Sequence, residues 1–257
     1  MGTLTPILLL TAACGALSAM IAAGFMLLPA ARRQALLPHL VSFATGALLG
    51  AALIALLPHA VEAGGGMHGI GIALAGGIVA FFVLEKAVLW RHCHVDHCEA
   101  HGPQDHHRDR ASATLILWGD AFHNVLDGIL IAAAFLTDPH LGVVTTVAVF
   151  AHEIPQEVGD LAILLNGGMT RRRALALNVA VSLASVAGAF VAWFLLAQAL
   201  EVLPYALAVA AASFLYVAVA DLIPGLHRRV DVRTSIQQVV LIAVGVLLIG
   251  FTHELAH

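Results

Sequence analysis

The sequence predicts an all-α polytopic membrane protein, a bundle of eight transmembrane helices. Of its 257 residues, 60% are hydrophobic and only 11% are charged, whereas an ordinary soluble domain has about 25% charged residues. The mean hydropathy is +0.93, and no alternation typical of strands interrupts the long apolar runs. This composition excludes a water-soluble globule and a nucleic-acid-binding domain, and three cysteines do not make a disulfide framework.

Eight apolar runs each approach the roughly 20 residues that a helix needs to cross a bilayer. The predicted spans cover residues 4–28, 36–58, 69–90, 112–136, 140–165, 174–198, 204–226 and 236–253. Proline, glycine and arginine mark the connections, so residues 1–257 are interpreted as a single transmembrane domain. The first run is long and has no Lys or Arg before it, which favours a retained helix over a cleaved signal peptide.

All twelve Lys and Arg residues fall in or beside odd-numbered connections between these runs. They are Arg32, Arg33, Lys86, Arg91, Arg108, Arg110, Arg171, Arg172, Arg173, Arg228, Arg229 and Arg233. Because positively charged loops remain in the cytosol, this distribution predicts that both termini are extracytoplasmic. A missed or additional span would break the segregation, so the charges also support a count of eight.

Spans four and five carry ionisable side chains in their apolar interiors, where each costs about 2.5–3.5 kcal/mol on insertion scales and usually marks a functional site. His123 and Asp127 lie four residues apart and therefore share a helix face. His123 and His152 each lie about half-way along antiparallel spans, which predicts that the two clusters meet near the bilayer midplane. The candidate ligands are His123, Asn124, Asp127, His152, Glu153, Gln156 and Glu157.

Imidazole and carboxylate groups at one depth are typical ligands of zinc, iron and related divalent ions. The simpler alternative is that these polar groups only join neighbouring helices by hydrogen bonds, as is expected of Asn178 and Ser182 on span six. A histidine and a carboxylate on each of two helices favour a metal site. An HExxH zinc-protease motif starting at His152 is disfavoured, because Gln156 replaces its second histidine and Pro155 would bend the helix.

Residues 123–128 (HNVLDG) and 152–160 (HEIPQEVGD) resemble the HNxxDG and HExPHExGD motifs of the ZIP family of divalent-metal transporters, the second belonging to one zinc-transporting subfamily. Residues 42–46 and 56–59 are similar to the second span of that family, and residues 221–224 are similar to its seventh. The resemblance implies an importer that brings zinc, or iron, manganese or cadmium, into the cytosol without an enzymatic step.

The resemblance also implies a binuclear centre between spans four and five. One site would use His123, Asp127, His152 and residue 156. The adjoining site would use Asn124, Asp127 and Glu153, with Glu157 as a further member. Gln156 departs from the usual histidine, and Gly225 stands where a glutamate often follows the proline of span seven. Because a neutral amide oxygen is a weaker ligand than imidazole, the first site is expected to bind zinc less tightly and to discriminate less among metals.

A hydrophilic stretch between spans three and four, residues 91–111, is predicted to form a cytosolic loop rich in histidine and cysteine. Such tracts bind divalent metals, and cytosolic thiols remain reduced. Metal capture or regulation is favoured over an inert linker, although the spacing fits no zinc-finger template. The candidate loop ligands are His92, Cys93, His94, His97, Cys98 and His101.

Four further residues are weaker candidates for a transport path. His59 and Glu62 lie at the outer end of span two, and Asp120 and Asp160 flank the central cluster. For each, a path role and a role in helix capping or packing are equally open. The sequence thus predicts a plasma-membrane or inner-membrane protein whose partners are the metal and the bilayer, with a homodimer as one assembly. A metal exporter of another family and an intramembrane metalloprotease are the alternatives.

Overall fold

The computed structural model describes residues 3–93, 106–166, 168–227 and 231–254, and within these ranges it contains helices and turns but no strand. The helices are α1 (Leu4–Met26), α2 (Ala30–Gly50), α3 (Leu57–Ala60), α4 (Met67–Cys93), α5 (His106–Thr137), α6 (Pro139–Asn166), α7 (Arg171–Ser182), α8 (Ala184–Leu196), α9 (Leu203–Tyr216), α10 (Ile223–Leu226) and α11 (Val232–Glu254). The all-helical prediction is confirmed for the described residues.

Within the described ranges, seven helical stretches are long and apolar enough to cross a membrane. They are Leu4–Met26, Ala30–Gly64, Met67–Lys86, Leu117–Thr137, Arg171–Leu196, Leu200–Leu226 and Val232–Thr252. The fifth predicted span lies in α6, whose 28 residues would extend about 42 Å. This helix carries Glu153, Glu157 and Asp160, and its polar side chains make it less apolar than the others. The count of eight spans therefore stays a prediction.

Two of the spanning stretches contain a π-helical turn just before a proline. Ala51–Leu56 precedes Pro58, and Val217–Leu222 precedes Pro224. A proline has no N–H, and its ring clashes with the carbonyl group four residues earlier, so a wider turn accommodates it. Such turns are frequent at functional sites, and the second one lies beside the cavity described below.

Helices α5 and α8 approach so closely that their backbones touch. A Cβ atom placed on Gly128 would lie 1.8 Å from the carbonyl oxygen of Ser185, and one placed on Gly188 would lie 2.0 Å from that of Val125. No side chain fits at either position, so the two glycines set the distance between the helices. Because Gly128 directly follows Asp127, this contact also fixes the helix that carries the candidate metal ligands.

Helix α6 packs against α1, α2, α5 and α7, which places both motif-bearing helices inside the bundle. The turn between α5 and α6 consists of Asp138 alone. Its Oδ1 accepts hydrogen bonds from the N–H groups of His140 and Leu141, at 2.8 and 3.0 Å, and Pro139 occupies the first helical position, where its missing N–H costs little. This tight turn makes the two helices antiparallel neighbours.

Candidate metal centre

Four side chains from α5 and α6 bring one potential ligand atom each into a space in which all four atoms lie within 4.8 Å of one another. They are His123, Asp127, His152 and Glu153. The last three are almost fully buried, with 1–2% of their surface exposed, and His123 is half-buried. Four of the seven predicted ligands therefore meet.

The tight turn at Asp138 explains why these residues meet. His123 precedes Asp138 by fifteen residues and His152 follows it by fourteen, so the two histidines lie about 22 and about 21 Å from the turn along antiparallel helices. Asp127 is one helical turn from His123 on the same face. The sequence thus sets the common depth of the cluster through one short connection.

The shortest distances in the cluster involve Nε2 of His152, which lies 3.2 Å from Nε2 of His123 and 3.2 Å from Oδ2 of Asp127. Oε1 of Glu153 lies 3.8 Å from both Nε2 atoms. The other ring nitrogen of His152, Nδ1, lies 3.1 Å from the carbonyl oxygen of Ala148. If Nδ1 donates to this carbonyl, Nε2 carries a lone pair that faces the cluster, as in metal-ligating histidines.

The cluster contains several acceptors that lack a donor. Among the described residues, Oδ2 of Asp127 and both carboxylate oxygens of Glu153 are buried without a hydrogen-bond partner. A buried carboxylate that has neither a donor nor a counter-charge is strongly destabilising. Two carboxylates and two imidazoles can bind a divalent cation, and such a cation would supply the positive charge that these acceptors lack.

Comparisons with known proteins identify the family of the chain. The sequence profile of the ZIP Zinc transporter family matches residues 90–253. The chain belongs to the ZIP zinc transporter family. The resemblance carried by the motifs in residues 123–128 and 152–160 is therefore confirmed.

The chain is 32% identical over 227 residues to zinc transporter ZIP13 of Pongo abelii, an alignment that covers 82% of this chain and 65% of the relative. It is 31% identical over 248 residues to mouse ZIP13, covering 82% of this chain and 68% of the relative. It is 44% identical over 119 residues to rat ZIP4, covering 46% of this chain and 18% of the relative. The chain thus spans less than two thirds of the orangutan ZIP13 and under a fifth of ZIP4. All three relatives bear the names of transporters rather than of enzymes.

Family membership and the seven apolar helical stretches of the described residues make this ZIP protein a multi-pass membrane protein.

Three of the seven candidate ligands form hydrogen bonds outside the four-residue cluster. Nδ2 of Asn124 donates to Oδ1 of Asp120 at 3.0 Å, and Nε2 of Gln156 donates to the same oxygen at 3.1 Å. Asp160 also contacts Asp120, so Asp120 is the centre of a second polar group beside the four-residue cluster.

Glu157 is fully buried, and its carboxylate faces α7. Oε2 accepts a hydrogen bond from Nδ2 of Asn178, and Oε1 accepts one from Oγ of Ser182. The hydrogen bonds between helices that Asn178 and Ser182 were expected to make are thus confirmed. Both oxygens of Glu157 have a donor, whereas the oxygens of Glu153 have none among the residues that the structure describes.

A cavity of about 360 Å³ adjoins the cluster of this ZIP protein and is lined by acidic residues of four helical stretches. These residues are Glu85 of α4, Asp120, Asp160 and Asp221. His123 and Gln156 also line it, so the cavity reaches one member of the four-residue cluster and one further candidate ligand. Oη of Tyr216 donates a hydrogen bond to Glu85. Glu85 could not be recognised from the sequence, because a single glutamate near a span end is typical of a solvated helix terminus.

Two neighbours of the cluster had no signal in the sequence. The thiol of Cys14 on α1 is buried, and its Sγ lies 3.9 Å from the carbonyl oxygen of Thr146. The ring of Phe214 on α9 packs edge-on against His152, with centroids 6.0 Å apart. A lone cysteine or phenylalanine in an apolar span is indistinguishable from ordinary packing, so only the folded chain reveals that Phe214 packs against the cluster.

Among the described residues, His59 and Glu62 do not belong to the four-residue cluster. Nδ1 of His59 lies 2.9 Å from the carbonyl oxygen of Ala55 in its own helix, and Glu62 is exposed. His92 and Cys93 belong to the last turn of α4. The remaining loop candidates, His94, His97, Cys98 and His101, lie outside the described residues.

Proposed function

We propose that this protein transports divalent metal ions, chiefly Zn²⁺, into the cytosol through the site between α5 and α6. The observation that carries the proposal is the convergence of four potential ligand atoms from both helices, with three buried carboxylate oxygens that have no donor in the described part of the chain. The zinc-transporter names of the relatives add support. Fe²⁺, Mn²⁺ and Cd²⁺ are further candidate cargoes, because Gln156 replaces the usual histidine.

The proposed topology has eight membrane spans, with α6 as the fifth and both termini extracytoplasmic. Its support is the placement of all twelve Lys and Arg residues on odd-numbered connections and the length of α6. The domain is one transmembrane unit of residues 1–257. Its proposed location is the plasma membrane, or the inner membrane of a bacterium, and a homodimer is its proposed assembly.

In the proposed transport cycle, a hydrated cation exchanges water for the imidazoles of His123 and His152 and the carboxylates of Asp127 and Glu153. Two carboxylates neutralise the double charge of the ion, which lowers the cost of holding it inside the bilayer. An adjoining second ion would use Asn124, Asp127, Glu153 and Glu157, and Glu157 would have to exchange its α7 donors for the metal.

The acidic cavity provides the proposed route from the cluster toward the cytosol. Asp120 and Asp160 lie closest to the ligands, and their carboxylates attract a leaving cation. His59 and Glu62 are proposed contacts on the opposite, outer side. The predicted loop of residues 91–111 is shorter than expected, because α4 extends to Cys93 and α5 begins at His106. The stretch is proposed to capture the ion through His92, Cys93, His94, His97, Cys98 and His101. No bond is made or broken, so the proposed activity is transport rather than catalysis.

The test is uptake of radioactive zinc by proteoliposomes that contain the purified chain. Asp127→Asn is expected to abolish uptake, whereas the matched control Glu201→Gln, at an exposed carboxylate before α9, is expected to leave it unchanged. Cellular zinc content on overexpression then distinguishes import, which raises it, from export. Equal uptake by wild type, Asp127→Asn and empty liposomes would overturn the proposal.

A further inference from the structure

A second and larger cleft of about 830 Å³ opens at the arginine-bearing end of the bundle. It lies between the turn that joins α1 to α2 on one side and α6 and α7 on the other. Its walls are mostly apolar and include Phe25, Leu37 and Leu161. A small hydrophobic cluster, separate from the main core of the described residues, contributes Val158 and Leu161 to its lining. The cleft is distinct from the acidic cavity beside the metal ligands.

The charge in this cleft is entirely positive. Among its described lining residues the charged side chains are Arg33 and Arg171, and none is a carboxylate. Arg33 is half-buried, and its Nη1 lies 3.3 Å from Sδ of Met26, which is a weak acceptor. Arg171 begins α7, where the aligned peptide dipoles add partial positive charge. Two arginines among the lining of an otherwise mostly apolar cleft suit a ligand that is anionic at one end and apolar at the other.

We propose that this cleft binds an anionic phospholipid, with the phosphate between Arg33 and Arg171 and an acyl chain along the apolar wall. Arginine binds phosphate in a bidentate manner, and basic pockets between membrane helices bind acidic lipid head groups. The volume of the cleft falls within the range of about 300–1,000 Å³ found for ligand sites. The assignment to the cytosolic leaflet rests on the proposed topology, but the binding itself does not.

The lipid would contact a helix that carries metal ligands. Val158 and Leu161 line the cleft, and Val158 directly follows Glu157 on α6. On the other side, the lipid would contact the turn between α1 and α2. It would therefore bridge α6 and the start of α2, and its binding can be measured without any transport assay.

The test compares phosphatidylglycerol with phosphatidylcholine, which has the same phosphate but no net charge, by native mass spectrometry of the purified full chain. For Arg33→Gln/Arg171→Gln we expect the affinity for phosphatidylglycerol to fall roughly thirtyfold, as for two arginines near a membrane surface. The matched control Arg32→Gln/Arg172→Gln removes two exposed arginines that do not line the cleft and is expected to keep the wild-type affinity. Equal losses in both double variants, or equal binding of both lipids by wild type, would overturn the proposal.

A second variant tests the proposed binding position of the acyl chain without changing the charge of the cleft. Gly24 lines the cleft, and a Cβ atom there would meet no atom of the described residues within 4 Å, so Gly24→Phe adds an aromatic side chain at an open position of the cleft wall. We expect it to weaken phosphatidylglycerol binding while circular dichroism and zinc binding remain unchanged. Wild-type lipid affinity in this variant, or complete competition by inorganic phosphate at millimolar concentration, would show that no acyl chain occupies the cleft. Because zinc binding is measured separately, failure of the lipid site and failure of the metal site are distinguishable.

Discussion

Replacing Glu153 by glutamine tests the charge balance of the metal centre while preserving the shape of the side chain. Glu153 is 1% exposed, and neither of its carboxylate oxygens has a donor among the described residues. The change removes one negative charge and introduces an amide N–H₂ group within reach of the two imidazole Nε2 atoms, which lie 3.8 Å from Oε1. The expected effects on the metal-free and the metal-loaded protein have opposite signs.

In the metal-free protein, Glu153→Gln is expected to increase the free energy of unfolding. Leaving a buried acceptor without a partner costs about 1–3 kcal/mol, and more for a charged group. The amide can donate to the neighbouring acceptors, so the variant is expected to gain about 1–3 kcal/mol of stability relative to wild type.

In the zinc-loaded protein, the same change is expected to weaken binding strongly. Asp127 and Glu153 together balance a doubly charged ion, so the glutamine variant leaves one uncompensated positive charge in a buried site. Removing one partner of a buried ion pair costs about 3–5 kcal/mol, which corresponds to about 10²–10⁴-fold weaker binding at 1.4 kcal/mol per factor of ten.

The assay combines competition between the protein and a fluorescent zinc chelator with chemical unfolding in the presence and absence of zinc. Glu201→Gln, which removes an exposed carboxylate, is the matched control and is expected to change neither quantity. Reduced stability of metal-free Glu153→Gln, together with zinc affinity within about threefold of wild type, would show that Glu153 has a structural role and would refute the reasoning.

Four further predictions concern residue 156, the contact between α5 and α8, the dependence of zinc uptake on pH, and the histidine-rich stretch between α4 and α5. Gln156→His is expected to tighten zinc binding and increase the preference for zinc over manganese; unchanged affinities for both metals would contradict the ligand role of residue 156. Gly128→Ala is expected to destabilise the protein by several kcal/mol in unfolding experiments, because its Cβ would lie 1.8 Å from a carbonyl oxygen, whereas Gly24→Ala meets nothing and serves as control. Zinc uptake is expected to fall as pH decreases through the range in which imidazole is protonated, since ligands must be deprotonated; a flat profile from pH 7.5 to about 5.5 would exclude histidine ligation. Deletion of residues 92–107 is expected to change uptake across a series of zinc concentrations, and identical curves would remove the loop from the mechanism.

The convergence of the four ligands was predictable from sequence because it depends on regular geometry. The i, i+4 spacing places His123 and Asp127 on one face of a helix. A connection of a single residue, Asp138, sets the two histidines at nearly equal depth. Neither step needs knowledge of how the other helices pack.

The partners of the remaining candidates could not be predicted, because they depend on which helix lies beside each turn of α6. Glu153 and Glu157 share a face by the same i, i+4 rule, yet one helical turn displaces Glu157 by about 6 Å along the axis. At that level α7 presents Asn178 and Ser182. Likewise, Gln156 bonds to Asp120 because α5 and α6 are rotated so that these side chains meet. The rotation of packed helices is set by the whole core.

The predicted fifth span shows a limit of recognising membrane spans by their apolar composition. The apolar run in the sequence predicted a helix over residues 140–165, and α6 covers Pro139–Asn166. The bounds of the helix are therefore as expected. Its polar side chains nevertheless leave α6 outside the helical stretches of the described residues that are apolar enough to cross a membrane. A span that carries metal ligands, as proposed for α6, is harder to recognise by composition, because polar side chains replace apolar ones.

The most direct test of the central claim is anomalous scattering from crystals soaked in zinc, recorded on both sides of the zinc absorption edge. A zinc ion bound by His123, Asp127, His152 and Glu153 is the expected result. Zinc found only at the histidine-rich loop or on the protein surface, with none between α5 and α6, would contradict the account.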